Sequence, residues 1–533
     1  MTISALTIQN GQQEQQQLAK KPKIIVIGAG TCGLRAAEVL IQAGCEVVVL
    51  EARDRIGGRI ATSSKLGHPL DLGANWIHGN QGNPIIAIAD KANSSYSATA
   101  LDDTIVFAPN GTFLSKAMGE ELITKMWDIF DDGIEYSEKE FETLKPNTSF
   151  LEYYRELVER EVDGEVEGGD GDAEKRAWQM QIVEILGAIV AMAIQKQGLK
   201  NLYLEKPIPG GQLIVLLYPI PSELLTRSML TVEFYVENLF LSSTYGPVME
   251  LMAQTVLQNQ CLELNMPVER IDTIYTASGP LHKVYAKDGN VCEAEGVLVT
   301  IPLGALKQER IKFDPPMPEK MRQAIKHLGY GSLEKTYITF PSAFWGNGPS
   351  YYIFLAPKYA TSTNPDRAAI TAISLSHLPP PHDQPTLLFY THSDISKRLT
   401  DILQTEPPQK AKTKILDFFE PYFSKLPGYD QGDAGCVPVD LISTNWLNDE
   451  YAGNGSYTNF PVGLVDGSED IKTIRTGEEG RRLWFCGEHT APLLGLASVS
   501  GAYWAGERAG RRCLVEFGMM SEEEERSLEV DEE

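Results

Sequence analysis

Ile24-Ile-Val-Ile-Gly28-Ala-Gly30-Thr-Cys-Gly33 is the stretch on which the fold turns. Its first residues are a short β-branched apolar run, the pattern of a buried strand. Residues 34–43 follow with helical spacing, and Glu46-Val-Val-Val-Leu50 is a second apolar run, so the three segments predict a βαβ unit. Three glycines at the strand-to-helix turn permit a tight bend and close backbone approach to a pyrophosphate, which the positive end of the helix dipole favours. Glu51 ends the second strand, 23 residues after Gly28, where a carboxylate accepts hydrogen bonds from a ribose and repels a 2′-phosphate. A tight βα turn with no ligand is the bland alternative. Strand, helix and terminal acid together favour dinucleotide binding.

The rest of the chain bounds what this unit belongs to. At 533 residues it is long enough for two or three cores. The net charge of −25 is concentrated: residues 161–174 and 521–533 supply −14 of it, leaving a moderately acidic body. Nucleic acid is a poor partner for such a chain, since phosphate neutralisation needs Lys and Arg. Seven cysteines without paired spacing suggest neither a disulfide framework nor a metal site, and a reducing compartment is expected. The first twenty residues are polar and Gln-rich, with no signal-peptide pattern. The apolar runs at 182–194 and 213–218 fall short of the ~20 residues of a membrane span. These features predict a cytoplasmic protein with no membrane association.

Along the chain, residues 1–20 and 521–533 read as disordered tails, the second acidic. Helical spacing marks 119–130 and 177–194, separated by the acidic stretch 161–174, expected to be a mobile loop. Strand-like segments fall at 268–275, 282–286, 296–302, 333–340, 351–356, 369–376 and 386–390; helices are expected at 411–424 and from about 498. Residues 206–231 combine four prolines with a large apolar run, and read either as an insertion or translated intron or as an ordinary Pro-bounded loop.

After Glu51 the sequence runs Ala-Arg53-Asp-Arg-Ile-Gly57-Gly58-Arg59. This run resembles the FAD signature of the flavin amine oxidase superfamily, which includes monoamine, polyamine and L-amino acid oxidases. A second glycine pair lets backbone pass near phosphates, and arginine offers them paired donors; surface ion pairing is the simpler use of both arginines. The resemblance implies FAD as cofactor, with contacts from Gly28, Gly30, Gly33, Glu51, Arg53, Gly58 and Arg59.

Four further blocks extend the likeness over about 22–516. Asp71-Leu-Gly73-Ala74-Asn75-Trp76-Ile-His78-Gly79 is similar to the segment that passes the flavin ring, and its Asn-Trp-Ile-His form is most similar to polyamine oxidases. It implies Gly73, Ala74, Asn75 and Trp76 as cofactor contacts and His78 as a substrate-binding or proton-shuttling group. Trp484-Phe-Cys-Gly-Glu488-His-Thr490 with Ala497-Ser498-Val499-Ser-Gly resembles the C-terminal cofactor motif, implying a ribityl contact at Glu488 and a backbone donor at Val499. Val268 is placed among the cofactor contacts as well. Gly331-Ser-Leu-Glu-Lys335-Thr-Tyr resembles the strand whose lysine holds a water at the flavin and favours reaction with oxygen, which falls on Lys335. Trp446 to Gly463 is similar to the segment that sets an aromatic beside the flavin, here Tyr457. Monoamine oxidases pair that aromatic with a second one where this chain has Ser498, which favours a polyamine substrate.

The implied fold is α/β, a Rossmann-type FAD-binding domain (22–80 with 265–305 and 435–516) plus an α+β substrate-binding domain (81–264 with 306–434). The implied reaction is hydride transfer from an amine, oxygen being reduced to hydrogen peroxide and the imine hydrolysed to an aldehyde and a shorter amine. The partners are then a small amine and molecular oxygen, with no metal. A monoamine or L-amino acid oxidase is the nearest alternative, and a histone-demethylase-like chromatin component the alternative of another class. The latter expects an added helical domain and a coiled-coil insertion, and neither pattern is visible in the sequence.

Overall fold

The computed structural model describes residues 21–98, 103–160, 170–208, 238–346 and 348–526. Residues 1–20, most of the acidic stretch 161–174, most of 206–231 and residues 527–533 therefore lie outside the described residues. The elements that build the site are, in chain order, β1 (Lys23–Ile27), α1 (Thr31–Gln42), β2 (Glu46–Leu50), α2 (Lys116–Lys139), α3 (Gly246–Gln258), β3 (Leu262–Glu263), β4 (Gly296–Val299), β5 (Leu333–Thr339), β6 (Thr386–His392), β7 (Leu483–Phe485) and α4 (Val499–Glu516).

β1 is central in a parallel five-stranded sheet of order β7-β4-β1-β2-β3. Both faces of this sheet are covered, which is why β1 is apolar at every position from Ile24 to Ile27 instead of alternating. Ile24 and Val26 face a core shared with α1, α3 and α4, while Ile25 and Ile27 face a second core with residues 303–328. Full burial of each such side chain stabilises by roughly 1.5–3 kcal/mol. β7 arrives from the far end of the chain, so the sheet joins the segments that carry the first and last motifs.

The second sheet has six strands, with β5 between 440–443 and β6, followed by 370–374, 351–354 and 104–107. β5 and β6 pair antiparallel with Lys335 directly opposite Tyr390. The two-residue period of a strand points Lys335 and Tyr337 to one face and Glu334 and Thr336 to the other. Lys335 and Tyr337 both reach the backbone oxygen of Asp71, so this face meets the 71–79 segment.

Three expectations are corrected. Residues 246–263, expected within the 81–264 substrate segment, pack on the first sheet: α3 lies on α1 and β3 pairs with β2. The helix expected over 177–194 is α-helical only through Asp170–Ile182, then breaks into 3-10 turns at Val183–Ala188 and Ile194–Lys196. Gly187 sits against the His392 ring, where a Cβ would approach to 2.3 Å, and Ala191 turns to φ +50°, so tertiary packing overrides the helical spacing. The acidic tail begins with a short helix, Glu522–Arg526, because Ser521 and Glu524 cap it reciprocally: Ser521 N donates to Glu524 at 2.9 Å and Glu524 N donates to Ser521 Oγ at 3.2 Å. Among the described residues no helix is long and apolar enough to cross a membrane.

Candidate active site

The turn between β1 and α1 is shaped by close approach. A Cβ at Gly33 would stand 1.9 Å from the Gly28 carbonyl oxygen, and Gly28 itself has φ +110°. Gly30 is different, since a Cβ there would meet no protein atom nearer than Gly57 O at 4.0 Å. It borders a large cavity instead. Gly30 is also the N-cap of α1 and offers no side-chain acceptor, so the first-turn amides remain for a ligand. Glu51 is buried at the same end, its carboxylate accepting Ala29 N at 2.7 Å and Arg53 N at 2.9 Å. These groups fit a pyrophosphate over Gly30 and a ribose at Glu51.

The cavity measures about 2130 Å³ and runs from this turn to the face of the second sheet. Every residue singled out from the sequence lines it except Gly33, which is buried in the turn beneath. The two arginines that were candidates for phosphate contacts are both ion-paired. Arg53 bonds Asp449 at 2.8 Å; Arg59 bonds Glu488 at 2.8 Å and the Ser456 carbonyl at 2.7 Å. The Arg59–Glu488 pair thereby ties the first cofactor motif to the last. Arg55, which had no role in the sequence reading, donates to the carbonyls of Ile56, Gly58 and Ile60 and holds the glycine loop closed.

Lys335 is 4% exposed and donates to the carbonyls of Asp71 (3.2 Å) and Gly73 and to Asn75 Oδ1. Burial lowers its pKa, and the Asp71 carboxylate opposes that shift. Asn75 Oδ1 also accepts Tyr390 OH at 3.1 Å, and the Tyr390 oxygen accepts Trp76 Nε1 at 3.1 Å. Lys335, Asn75, Trp76 and Tyr390 thus form one bonded cluster. Tyr390 escaped the sequence reading because only strand register brings it opposite Lys335.

Tyr457 donates its hydroxyl to Ala188 O at 2.8 Å. Burial pushes this phenol up, and the nearby Glu205 and Tyr390 push it further; all three line the cavity. Glu205 is a second residue that sequence reasoning missed. Its carboxyl lines the cavity, its Oε1 has no partner among the described residues, and burial raises its pKa to about 8. Its only sequence signal was adjacency to the unusual 206–231 stretch. α2 adds Glu120, Asp128 and Asp131 to the wall, interleaved with Ile123, Trp127 and Phe130. Burial, then repulsion from Asp128, Asp132 and Glu135, raises the pKa of Asp131.

His78 is exposed to the cavity and its Nδ1 lies 2.9 Å from Asn238 Oδ1. With that oxygen accepting, Nδ1 carries the proton and Nε2 keeps its lone pair. Desolvation in the wall lowers the imidazole pKa against the opposing effect of Asn238, so the ring is neutral near pH 7. Ser498 lines the cavity, but its hydroxyl is committed to capping α4: it accepts Gly501 N at 2.9 Å and donates to Gly495 O at 2.7 Å. What Ser498 offers a substrate is therefore space. Val499 opens α4 beside it, at the helix end where amides lack helical acceptors.

Comparison with known proteins agrees with this geometry. Residues 31–514 match the family described as flavin containing amine oxidoreductase. Polyamine oxidase 3 of Oryza sativa subsp. japonica is 30% identical over 92% of this chain and 89% of its own length. Protein FLOWERING LOCUS D of Arabidopsis thaliana is 26% identical over 92% of this chain but 55% of its own length. A solved putrescine oxidase, in its wild-type form bound to putrescine, superposes with TM-score 0.63 at 19% identity, covering 92% of this chain and 98% of its own, and so shares the fold. The chain belongs to the flavin containing amine oxidoreductase family and is a flavin-dependent amine oxidoreductase.

Proposed function

We propose that the protein is an FAD-dependent oxidase of polyamines such as spermine, spermidine or their acetylated forms. The observation that carries the substrate class is the cavity wall, which brings Glu205, Glu120, Asp128 and Asp131 together with Ile123, Trp127 and Phe130. A polyamine is a flexible chain of methylenes punctuated by ammonium groups. Carboxylates lining one cavity favour a cation among them, and the apolar positions between them suit the methylenes.

The cofactor reading assigns FAD to the part of the cavity lined by Gly30, Glu51, Val268 and Arg53, with Glu488 and Val499 as further contacts. FAD held there would supply the two-electron chemistry, hydride acceptance from the carbon next to the amine nitrogen and reduction of dioxygen to hydrogen peroxide. The protein's own residues prepare the substrate. Nε2 of neutral His78 accepts the proton that an ammonium must lose before it can donate a hydride. Tyr457 and Tyr390 present aromatic surface that orients the amine, and Glu205, once ionised, anchors a second ammonium. Lys335 sets a positive charge where negative charge develops on dioxygen as it is reduced. The imine product is hydrolysed by water to an aldehyde and a shorter amine.

In domain terms, cofactor binding falls to 22–80, 246–305 and 435–516 and substrate binding to most of the remainder. A peroxide-coupled assay of the purified yellow protein tests the substrate class, using polyamines, acetylpolyamines, monoamines, amino acids and a methyl-lysine peptide. Turnover of polyamines supports the reading. Turnover confined to aromatic monoamines or amino acids sinks it, and turnover of the methyl-lysine peptide alone favours the demethylase-like alternative.

A further inference from the structure

Asp71 meets Lys335 through its backbone oxygen and also carries a carboxylate. Its side chain is 2% exposed, a carboxylate buried beneath the cavity floor. Thr62 Oγ1 donates to one carboxylate oxygen at 3.0 Å and Tyr245 N to the other at 2.9 Å, two bonds that favour the ionised form. The same residue's backbone oxygen accepts Lys335 Nζ at 3.2 Å and Tyr337 OH at 2.6 Å. The carboxylate and the ammonium are thus anchored to one residue, shielded from solvent together.

Other titratable groups around Lys335 do not serve as its counter-ion. Tyr337, Tyr390 and Tyr245 have phenols driven upward by burial and stay neutral in the working range. Glu334 lies on the opposite face of the strand, its carboxylate accepting Leu447 N at 2.9 Å and the Thr444 hydroxyl. Burial acts to strip the proton from Lys335 and also pushes the Asp71 carboxyl up to about 7, and the charge of each group acts against the shift of the other.

We propose that Asp71 is a positioning residue whose carboxylate is the counter-ion that holds Lys335 in its ammonium form. It rests on the role given to Lys335 above. The pH range over which the reduced enzyme reacts with oxygen is then set by Asp71, a residue on a different segment from the lysine it controls. Loss of the carboxylate lets desolvation win, and Lys335 becomes a neutral amine at a lower pH.

The test uses the holoenzyme as wild type, Asp71→Asn, Asp71→Glu, Lys335→Met and the Asp71→Asn/Lys335→Met double variant. Each is reduced anaerobically and mixed with oxygen in a stopped-flow instrument from pH 6 to pH 10, and each is also melted thermally. The proposal expects Asp71→Asn to move the inflection of the reoxidation profile down by about one pH unit or more, roughly a 10-fold rate loss on the limb above it. Asp71→Glu restores the wild-type inflection, a rescue that a merely structural role would not give. In melting, Asp71→Asn lowers Tm and the double variant regains part of the loss, because the unpaired buried charge is gone. An unmoved inflection in Asp71→Asn, or strictly additive losses of Tm, overturns the proposal. Lys335→Met reoxidising at the wild-type rate removes instead the role given to the lysine, and the melting cycle still decides whether the two charges are coupled. If Asp71→Asn does not fold, Thr62→Val removes one bond to the carboxylate and must shift the inflection the same way by less; no shift overturns the proposal.

Discussion

Replacing Glu205 by glutamine separates what the cavity needs for stability from what it needs for substrate. Burial takes this carboxyl from an ordinary value of 4.5 to about 8. A displacement of that size corresponds to a ceiling of ~5 kcal/mol against the ionised folded protein. The sign follows from which state holds the proton. The folded carboxyl keeps its proton to higher pH than the unfolded one, so the penalty is absent below about pH 4.5, grows between 4.5 and 8, and is complete above about 8. Glu205→Gln carries no such penalty and is expected to melt higher than wild type at pH 8.5, with the gap narrowing toward pH 5.5. The same change deprives a second ammonium of its partner. At pH 8.5, where this carboxyl is ionised, a charged hydrogen bond is worth about 1.5–3 kcal/mol, so KM for spermidine rises about 10- to 150-fold while that of a monoamine hardly moves. Differential scanning fluorimetry at the two pH values and steady-state kinetics with both amines measure the two effects. A variant no more stable than wild type at pH 8.5 would refute the burial argument, and an unchanged KM for spermidine would refute the substrate contact.

The remaining predictions address the cofactor end. Gly30→Ala is expected to fold with a near-normal Tm and lose flavin, since its methyl meets only cavity space, whereas Gly33→Ala, with its methyl 1.9 Å from the Gly28 carbonyl oxygen, is expected to fail to fold; flavin absorbance per mole of folded protein distinguishes them. Glu488→Gln leaves the half-buried Arg59 guanidinium short of its carboxylate, to be read as a drop in Tm with weakened flavin retention. His78→Leu removes a proton acceptor from the cavity wall, so flavin reduction by a polyamine should slow most below the amine's own pKa and recover at high pH; a uniform slowing across pH would remove that role.

How much of this was visible in the sequence follows from the range of the interactions involved. The βαβ unit was legible because Ile24 to Ile27, the glycines and Val47 to Leu50 are governed by local sterics and by burial on both faces. The 3-10 turns at Val183–Ala188 were not, because the His392 ring that displaces them lies about two hundred residues downstream. Lys335 was recognised through resemblance, since nothing in its own neighbours marks a strand lysine as buried. Tyr390 and Glu205 carried no motif; a register and a cavity wall, both tertiary, bring them to the site. That the Ser498 hydroxyl belongs to the helix cap was not legible either, because the cap depends on where α4 begins.

The central claim is that this cavity oxidises an amine while a carboxylate wall holds a second cation. Anaerobic single-turnover bleaching of the flavin band measures it most directly, comparing spermidine with an alkylamine of matched length that carries one nitrogen. The account predicts bleaching by both, with spermidine ahead by at least ~10-fold in rate over apparent Kd, about 1.4 kcal/mol. Equal values for the two amines, or bleaching by the monoamine alone, would contradict it.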